Sequence, residues 1–406
     1  MRLLRGHPVF RRFFVAAFIT EAGDQVHRIA LMIYVFQRTG SSSAVALVMA
    51  AQILVNILIA PFLSAWAEAR ERRSLLVATQ VAQGFLVLLI PWLGMGSLVV
   101  LWVLVFLIQI FQSLEYPLIA AVTPELVPEE HLDEANGLIA FTKRFAEVAV
   151  TGLAGLLVAV VGPVFAFYLD SASFFVTAGL LLGLPRILPQ GGQNGGYLER
   201  VVEGFGHILR TPVLRRSIGA LAVAALFGSV EKVLGVALAE GVLRVGSKGY
   251  GAIEMSLALG AVVGTLVVAA ATRRLGREKV FVWSLVFFGA ALLSVGAYPV
   301  FLWVLAAYFL TGLFNYGFLV PLRGVLQTHT PKPLITRVFG AVGATSQSAV
   351  LAGTLGGGLV ADAVGVPITY MAAGFGVALV GLYLAATGGV AASPGAASRR
   401  PRWRGR

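Results

Sequence analysis

Leu4-Arg5-Gly6-His7-Pro8-Val9-Phe10-Arg11-Arg12 returns, little altered, as Leu209-Arg210-Thr211-Pro212-Val213-Leu214-Arg215-Arg216. Pro8 and Pro212 stand 204 residues apart in a chain of 406, and each copy runs straight into a long apolar stretch. The same offset pairs Val26-His27-Arg28-Ile29 with Val230-Glu231-Lys232-Val233, and an offset of 203 pairs Pro128 to Gly137 with Pro331 to Gly340. A membrane module written twice in one orientation accounts for all three stations. Such a parallel repeat predicts two halves that enclose a central site.

Composition points the same way. Hydrophobic residues make up 58% of the chain and charged ones 12%, outside the range of soluble domains. Apolar runs long enough to span hydrocarbon lie at about 13–37, 44–66, 74–96, 98–121, 136–160, 164–184, 217–238, 250–272, 280–297, 300–322, 337–361 and 367–388. The sequence thus predicts an all-α membrane protein of twelve transmembrane helices in two parallel-repeat six-helix bundles, residues 1–190 and 217–390. Between them, 191–216 reads as a Gly-rich linker followed by an amphipathic helix on the inner membrane surface, with Leu198, Val201, Val202, Phe205, Ile208 and Leu209 on one face. Residues 391–406 read as a basic tail. The first apolar run carries charges and lacks a small-residue cleavage pattern, so it reads as a retained span rather than a signal peptide.

The net charge of +12 is distributed as the positive-inside rule requires. Basic residues crowd at Arg2 to Arg12, Arg70 to Arg73, Arg273 to Lys279 and the tail Arg399 to Arg406, whereas the opposite loops hold only Arg38, Arg244 and Lys248. Both termini are therefore expected in the cytoplasm, in a cell (inner) membrane, with the basic segments on anionic lipid rather than nucleic acid. There is no cysteine, which excludes disulfide and thiolate chemistry, and the five histidines lack metal-ligand spacing. No metal or cofactor is expected, and no nucleophile–base spacing suggests an enzyme.

The first span carries the richest chemistry. Glu21, Asp24 and Arg28 follow at i, i+3 and i+7, on one helical face. Asp24 falls about 16 Å into the helix at 1.5 Å per residue. Ionisable groups at that depth pair, face a water-filled cavity or change protonation during function. Two readings stand: Asp24 and Arg28 form a permanent intrahelical ion pair, or Asp24 and Glu21 carry protons with Arg28 as counter-charge and His27 supplying part of the balance. Asn56, Glu115, Asp170, Glu231 and Lys232 are candidates to line the substrate cavity; Glu115, placed toward the inner end of the fourth span, and Asp170 are equally open to an interfacial role. Lys143, Arg144 and Glu147 enter the fifth span as snorkelling or gate residues. Glu68, Arg72, Arg73, Arg274, Gly276 and Arg277, in matching loops after the second and eighth spans, are candidates for a cytoplasmic gate, because a loop acid can cap a neighbouring helix N-terminus. Simple topology-setting charge is the alternative.

These residues carry a resemblance. Phe10-Arg11-Arg12, Gly23-Asp24, Ala30-Leu31, Thr39-Gly40-Ser41, Leu126-Val127-Pro128-Glu129-Glu130, Ala135-Asn136-Gly137 and Ala166 to Phe174 resemble the major facilitator superfamily, and within it the third drug:proton antiporter family of macrolide, tetracycline and siderophore exporters. The likeness runs through all twelve spans. It departs in the loop after the second span, where Ser64, Glu68 and Ala69 replace the family's Gly, Asp and Arg, and at Val150-Thr151-Gly152, which lacks the antiporter glycines of the fifth span. The resemblance implies export of an amphipathic or hydrophobic small molecule by alternating access, by a monomer exchanging it for protons among membrane lipids. The rival readings are a lipid-like or siderophore substrate with weak or no proton coupling, Arg28 and Lys232 then binding a phosphate or carboxylate, and a non-transporting receptor or assembly factor. The acids Glu21 and Asp24 face Ala225 and Gly228 across the repeat, so the proton pathway is expected in the N-terminal half.

Overall fold

The computed structural model describes residues 2–68, 70–94, 96–188, 197–331 and 334–388. The expected linker core, 189–196, and the basic tail lie outside the described residues. Among the described residues, nine helices are long and apolar enough to cross a membrane. One of these, Glu129–Leu182, is two spans divided at Gly162 (φ 81°, ψ 164°) just before Pro163. The helix Pro8–Thr39, whose charged residues keep it from counting as apolar, and the pair Ser42–Leu58 and Ala60–Glu68 complete twelve. The fold is all-α, two six-helix bundles in parallel repeat.

Local chemistry sets the breaks. Pro8 opens the first span and Pro212 the seventh, where a missing N–H costs nothing and φ is already helical. Gly40 (φ 63°) ends the first span in the left-handed conformation. The repeat reappears in the backbone: Gly162, between spans five and six, and Gly365 (φ 93°, ψ 151°), between spans eleven and twelve, make the same positive-φ turn 203 residues apart. That turn excludes a side chain at either glycine. The fourth span is broken into Leu98–Gln112 and Glu115–Leu126. It runs on to Leu126, so Glu115 sits near its middle, not toward its inner end as the sequence suggested.

The halves meet closely at the end away from both termini, called here the far end. A methyl group on Gly155 would stand 2.6 Å from Gly251 Cα and Ser247 O, and one on Gly358 would stand 2.7 Å from Ala46 Cβ and 2.9 Å from Ser42 O. Without a hydrophobic force between helices in lipid, such small-residue approach is what holds spans together. Asp362, at the end of span eleven, accepts from Ser41 Oγ at 2.7 Å, Ser42 N at 2.8 Å, Ser43 N at 3.0 Å and Ser43 Oγ. A carboxylate of one half thereby caps the N-terminus of span two in the other, where the helix dipole favours it. Gln37 and Glu240 add a bond across the halves at 3.2 Å. At the terminal end, the amphipathic helix Tyr197–Arg210 packs on span eleven, with Gly204 against the Arg337 backbone and Arg337 bonded to Glu203.

Candidate functional site

The intrahelical pair between Asp24 and Arg28 does not form. Arg28 bends toward Gln25, with Nε and Nη2 at 3.2 and 2.9 Å from Gln25 Oε1, and donates Nη1 to Glu254 Oε2 at 3.0 Å. Glu254 belongs to span eight, in the other half. Gln25 Nε2 donates in turn to Glu21 Oε1 at 3.3 Å, and Thr151 Oγ1 lies 3.3 Å from Gln25 Oε1. A polar chain therefore runs Glu21–Gln25–Arg28–Glu254 from one half into the other. The reason is geometric: side chains at i and i+4 share a face, but Asp24 is engaged sideways by Gln112 Nε2 of span four at 3.0 Å, leaving the guanidinium free to reach across.

Beside the Asp24–Gln112 pair, a second network stays inside the first half. Glu115 Oε1 accepts from Gln80 Nε2 at 2.8 Å and Gln83 Nε2 at 2.6 Å, and Thr20 lies 3.1 Å from Gln80 Oε1 and 2.9 Å from Thr177 Oγ1. His27, expected to balance Glu21, instead sets Nδ1 3.0 Å from Asp170 Oδ2 of span six, both groups buried. Gly23 makes this possible, since a methyl group there would collide with Ser173 Oγ and stand 2.6 Å from Asp170 Oδ1. Asp170 is thus an interior residue, not an interfacial one. Asn56, exposed, lies on span two, where its Oδ1 meets Gln109 Nε2 at 3.4 Å.

The second half holds a buried cluster that the sequence reading only touched. Glu231 is 4% exposed, and Tyr308 Oη lies 3.4 Å from its carbonyl and is bonded to Tyr370 Oη. A methyl group on Gly235 would stand 3.2 Å from the Tyr250 ring and 3.4 Å from both Glu254 Oε1 and Tyr308 Oη. Gly235 is the gap through which these side chains converge. Lys232, next to the buried Glu231, is exposed. On span five, Arg144 bonds Glu147 at 2.6 Å and reaches Tyr316 Oη of the other half.

Among the described residues, the contacts of the candidate gate lie within one half or the other. The acid that caps a helix there is Glu71: it accepts from Arg73 N at 3.1 Å and Ser74 N at 2.8 Å at the start of its own helix, and from Ile187 N at 3.1 Å. Partial burial opposes its charge, but these bonds outweigh that and hold its carboxyl below the usual glutamate range. Arg72 donates to Ala121 O at 3.0 Å and lies 3.8 Å from Glu125, within the same half. Glu68 ends its helix, and its side chain lies outside the described residues. Arg274 is exposed, while Gly276 and Arg277 line a crevice of about 440 Å³ with Val325 and His329, wholly within the second half.

Twelve spans in two repeated halves, joined at mid-depth by the Arg28–Glu254 bond, define a membrane transporter of the secondary type rather than an enzyme. The family model for the transmembrane secretion effector family of major facilitator transporters matches residues 4–392, and the chain belongs to that family. It is 26% identical over 397 residues to the enterobactin exporter EntS of Escherichia coli, spanning 95% of this chain and 92% of that one. It is 25% identical over 386 residues to the MFS-type transporter YfiS of Bacillus subtilis, spanning 90% and 89%. Among solved structures, the nucleoside transporter NupG superposes with a TM-score of 0.80 at 9% identity over 93% of this chain and 99% of that one. A bacterial homologue of the iron transporter ferroportin gives 0.71 at 18% identity over 93% and 98%. These structures share the fold.

Proposed function

We propose that this transporter exports an amphipathic or hydrophobic small molecule from the cytoplasm by alternating access, drawing on protons that move the other way. The observation that carries the reading is the state of the first-span acids. Asp24 is held by an amide, Gln112, and Glu21 by another, Gln25, rather than neutralised by Arg28. A carboxylate at mid-depth whose partner is an amide can be occupied by a proton without leaving a cation unpaired. The proton-handling set is then Asp24 and Glu21, with His27 nearby and Arg28 as a counter-charge that stays protonated. Asn56, Glu115, Asp170, Glu231 and Lys232 remain the proposed polar surroundings of the substrate path. The closed far end, the half-buried Arg28 and the exposed Arg144 fit a resting state open toward the termini.

In this reading the protein works as a monomer in the inner membrane with both termini cytoplasmic. Its units are 1–190, the linker 191–216, 217–390 and the tail 391–406, and it has lipids, not nucleic acid, as neighbours. A second reading, a siderophore or lipid-like substrate moved with little proton coupling, is favoured by the match to an enterobactin exporter along nearly the whole chain.

The deciding experiment is flux of a fluorescent amphipath into proteoliposomes under an imposed pH gradient. Wild type is expected to follow the gradient and Asp24→Asn to lose that response. Transport by wild type that ignores the gradient, with Asp24→Asn equally active, rejects proton coupling and leaves the second reading.

A further inference from the structure

Arg28 is bound along one edge and open along the other. A guanidinium carries five N–H donors, and described residues engage three of them: Nε and one Nη2 hydrogen on Gln25, one Nη1 hydrogen on Glu254. The side chain is 43% exposed, whereas that of Glu254 is 7% exposed. A solute arriving from the opening therefore meets the cation, with the carboxylate behind it. Glu254 Oε1 lies among Tyr250 and Tyr308 at the gap left by Gly235, so this carboxylate belongs to the phenol cluster of the second half as much as to Arg28.

The repeat sharpens the point. Lys232 occupies the position matched to Arg28, but the residue matched to Glu254 at the offset of 204 is Ala50. Among the described residues Lys232 makes no ion pair or hydrogen bond. Of two symmetry-related cations, only Arg28 is hydrogen-bonded to an anion among the described residues; Lys232 has the carboxylate of its sequence neighbour Glu231 within electrostatic range. Lys143 and Arg144, both exposed on span five, add positive charge on the same approach, and Glu147 balances one of them.

We propose that Arg28 is the receptor for an acidic group on the substrate, a carboxylate, phenolate or phosphate carried by an amphipathic body, and that Glu254 is its built-in competitor. This rests on the transporter reading above and adds the substrate class and a specificity residue to it. A planar fork pairs with such acids through two parallel bonds. When the acid docks, Glu254 gives up Nη1 and withdraws to the second half. Because that bond is one of those that join the halves, substrate binding loosens the link between them at this depth, leaving the far-end contacts in place.

The test uses the full chain in nanodiscs of zwitterionic lipid, titrated with pyrenebutyrate and with its methyl ester, read by energy transfer from the six tryptophans. Wild type is expected to prefer the acid. Glu254→Gln is expected to bind the acid about tenfold more tightly, the worth of one charge-assisted hydrogen bond, with the ester unchanged, and Arg28→Gln to erase the preference. An acid affinity that stays the same or falls in Glu254→Gln overturns the proposal, as does an equal shift for acid and ester, which a merely structural role gives. Should Glu254→Gln fail to fold, Arg28→Lys serves: it keeps the charge but loses the fork, and acid binding as strong as in wild type overturns the proposal. Adding phosphatidylglycerol to the nanodiscs separates the sources of the acid, since displacement of pyrenebutyrate assigns the site to lipid headgroups and undiminished binding to soluble acids. Gradient-driven flux of the ester in proteoliposomes reports on the transporter reading independently, so either can fail without the other.

Discussion

Arg28 of the first span donates to Glu254 of the eighth at 3.0 Å, while Asp24, four residues before Arg28 on the same helix, is bonded to Gln112 instead. The cation and its anion lie 226 residues apart in sequence and in different halves of the repeat. Several measurable consequences come from this arrangement and from the contacts around it.

Removing the cation alone strands a buried carboxylate. Arg28→Met is expected to lower stability by about 3 kcal/mol, with the loss moderated where the guanidinium is open to water. The double variant Arg28→Met/Glu254→Gln should recover part of it, because no unpaired charge is left. Thermal unfolding of the four proteins in one detergent gives the coupling energy. Strict additivity of the two single effects means that the pair contributes nothing to stability.

The far-end contact through Asp362 is expected to set the balance between closed and open states. Asp362→Asn keeps the volume but replaces an acceptor-only group that takes four bonds from Ser41, Ser42 and Ser43. The chain has no cysteine, so paired spin labels at Arg38 and Lys248, both exposed and in opposite halves, report the far end without background. The distance distribution should gain a longer component in Asp362→Asn. An unaltered distribution shows that glycine packing at Gly155 and Gly358 keeps the far end shut by itself.

Gly23 is expected to be intolerant of even one methyl group. Gly23→Ala drives a carbon into Ser173 and Asp170, so Asp170 must retreat from His27 or the first and sixth spans must separate. Overpacking of this kind costs about 1–3 kcal/mol. A Gly23→Ala protein melting within a degree of wild type shows that the contact relaxes freely and that Gly23 is not needed for the His27–Asp170 approach.

Glu71 gives a pH dependence of known sign. Its folded-state pKa lies below the unfolded value, because the bonds from Ser74, Ile187 and Arg73 outweigh partial burial. Its contribution is therefore complete above the unfolded pKa and is lost as pH falls through the lowered one. Glu71→Ala should cost about 1 kcal/mol at neutral pH, as for other lost caps. The gap between variant and wild type should close only below about pH 4. A gap that is constant from pH 7 to pH 3 excludes the carboxylate charge as its source.

The candidate residues were legible to different degrees, for physical reasons. Glu21, Asp24, His27, Arg28, Glu115, Asp170 and Glu231 stand out because ionisable groups in apolar runs are rare, and the structure places all of them inside the bundle. Their partners were not legible. His27 could have balanced Glu21, and only the approach of span six, allowed by Gly23, gives it Asp170. Glu254 carried the same signal, a lone carboxylate in Ala252-Ile253-Glu254-Met255-Ser256. Gln25, Gln80, Gln83 and Gln112 are uncharged, and no periodicity marks an amide as the group that holds a buried acid.

The sequence by itself determined the twelve spans, the parallel repeat and the paired entries at Pro8 and Pro212, since hydropathy and proline act over a few residues. Tertiary structure alone decided that Glu71 caps its own helix instead of latching two halves, that Asp362 closes the far end, and that Arg28 serves Glu254 rather than Asp24. In lipid each polar group takes the nearest donor or acceptor that packing brings to it. That neighbour is set by how whole helices meet, which no local stretch of sequence encodes.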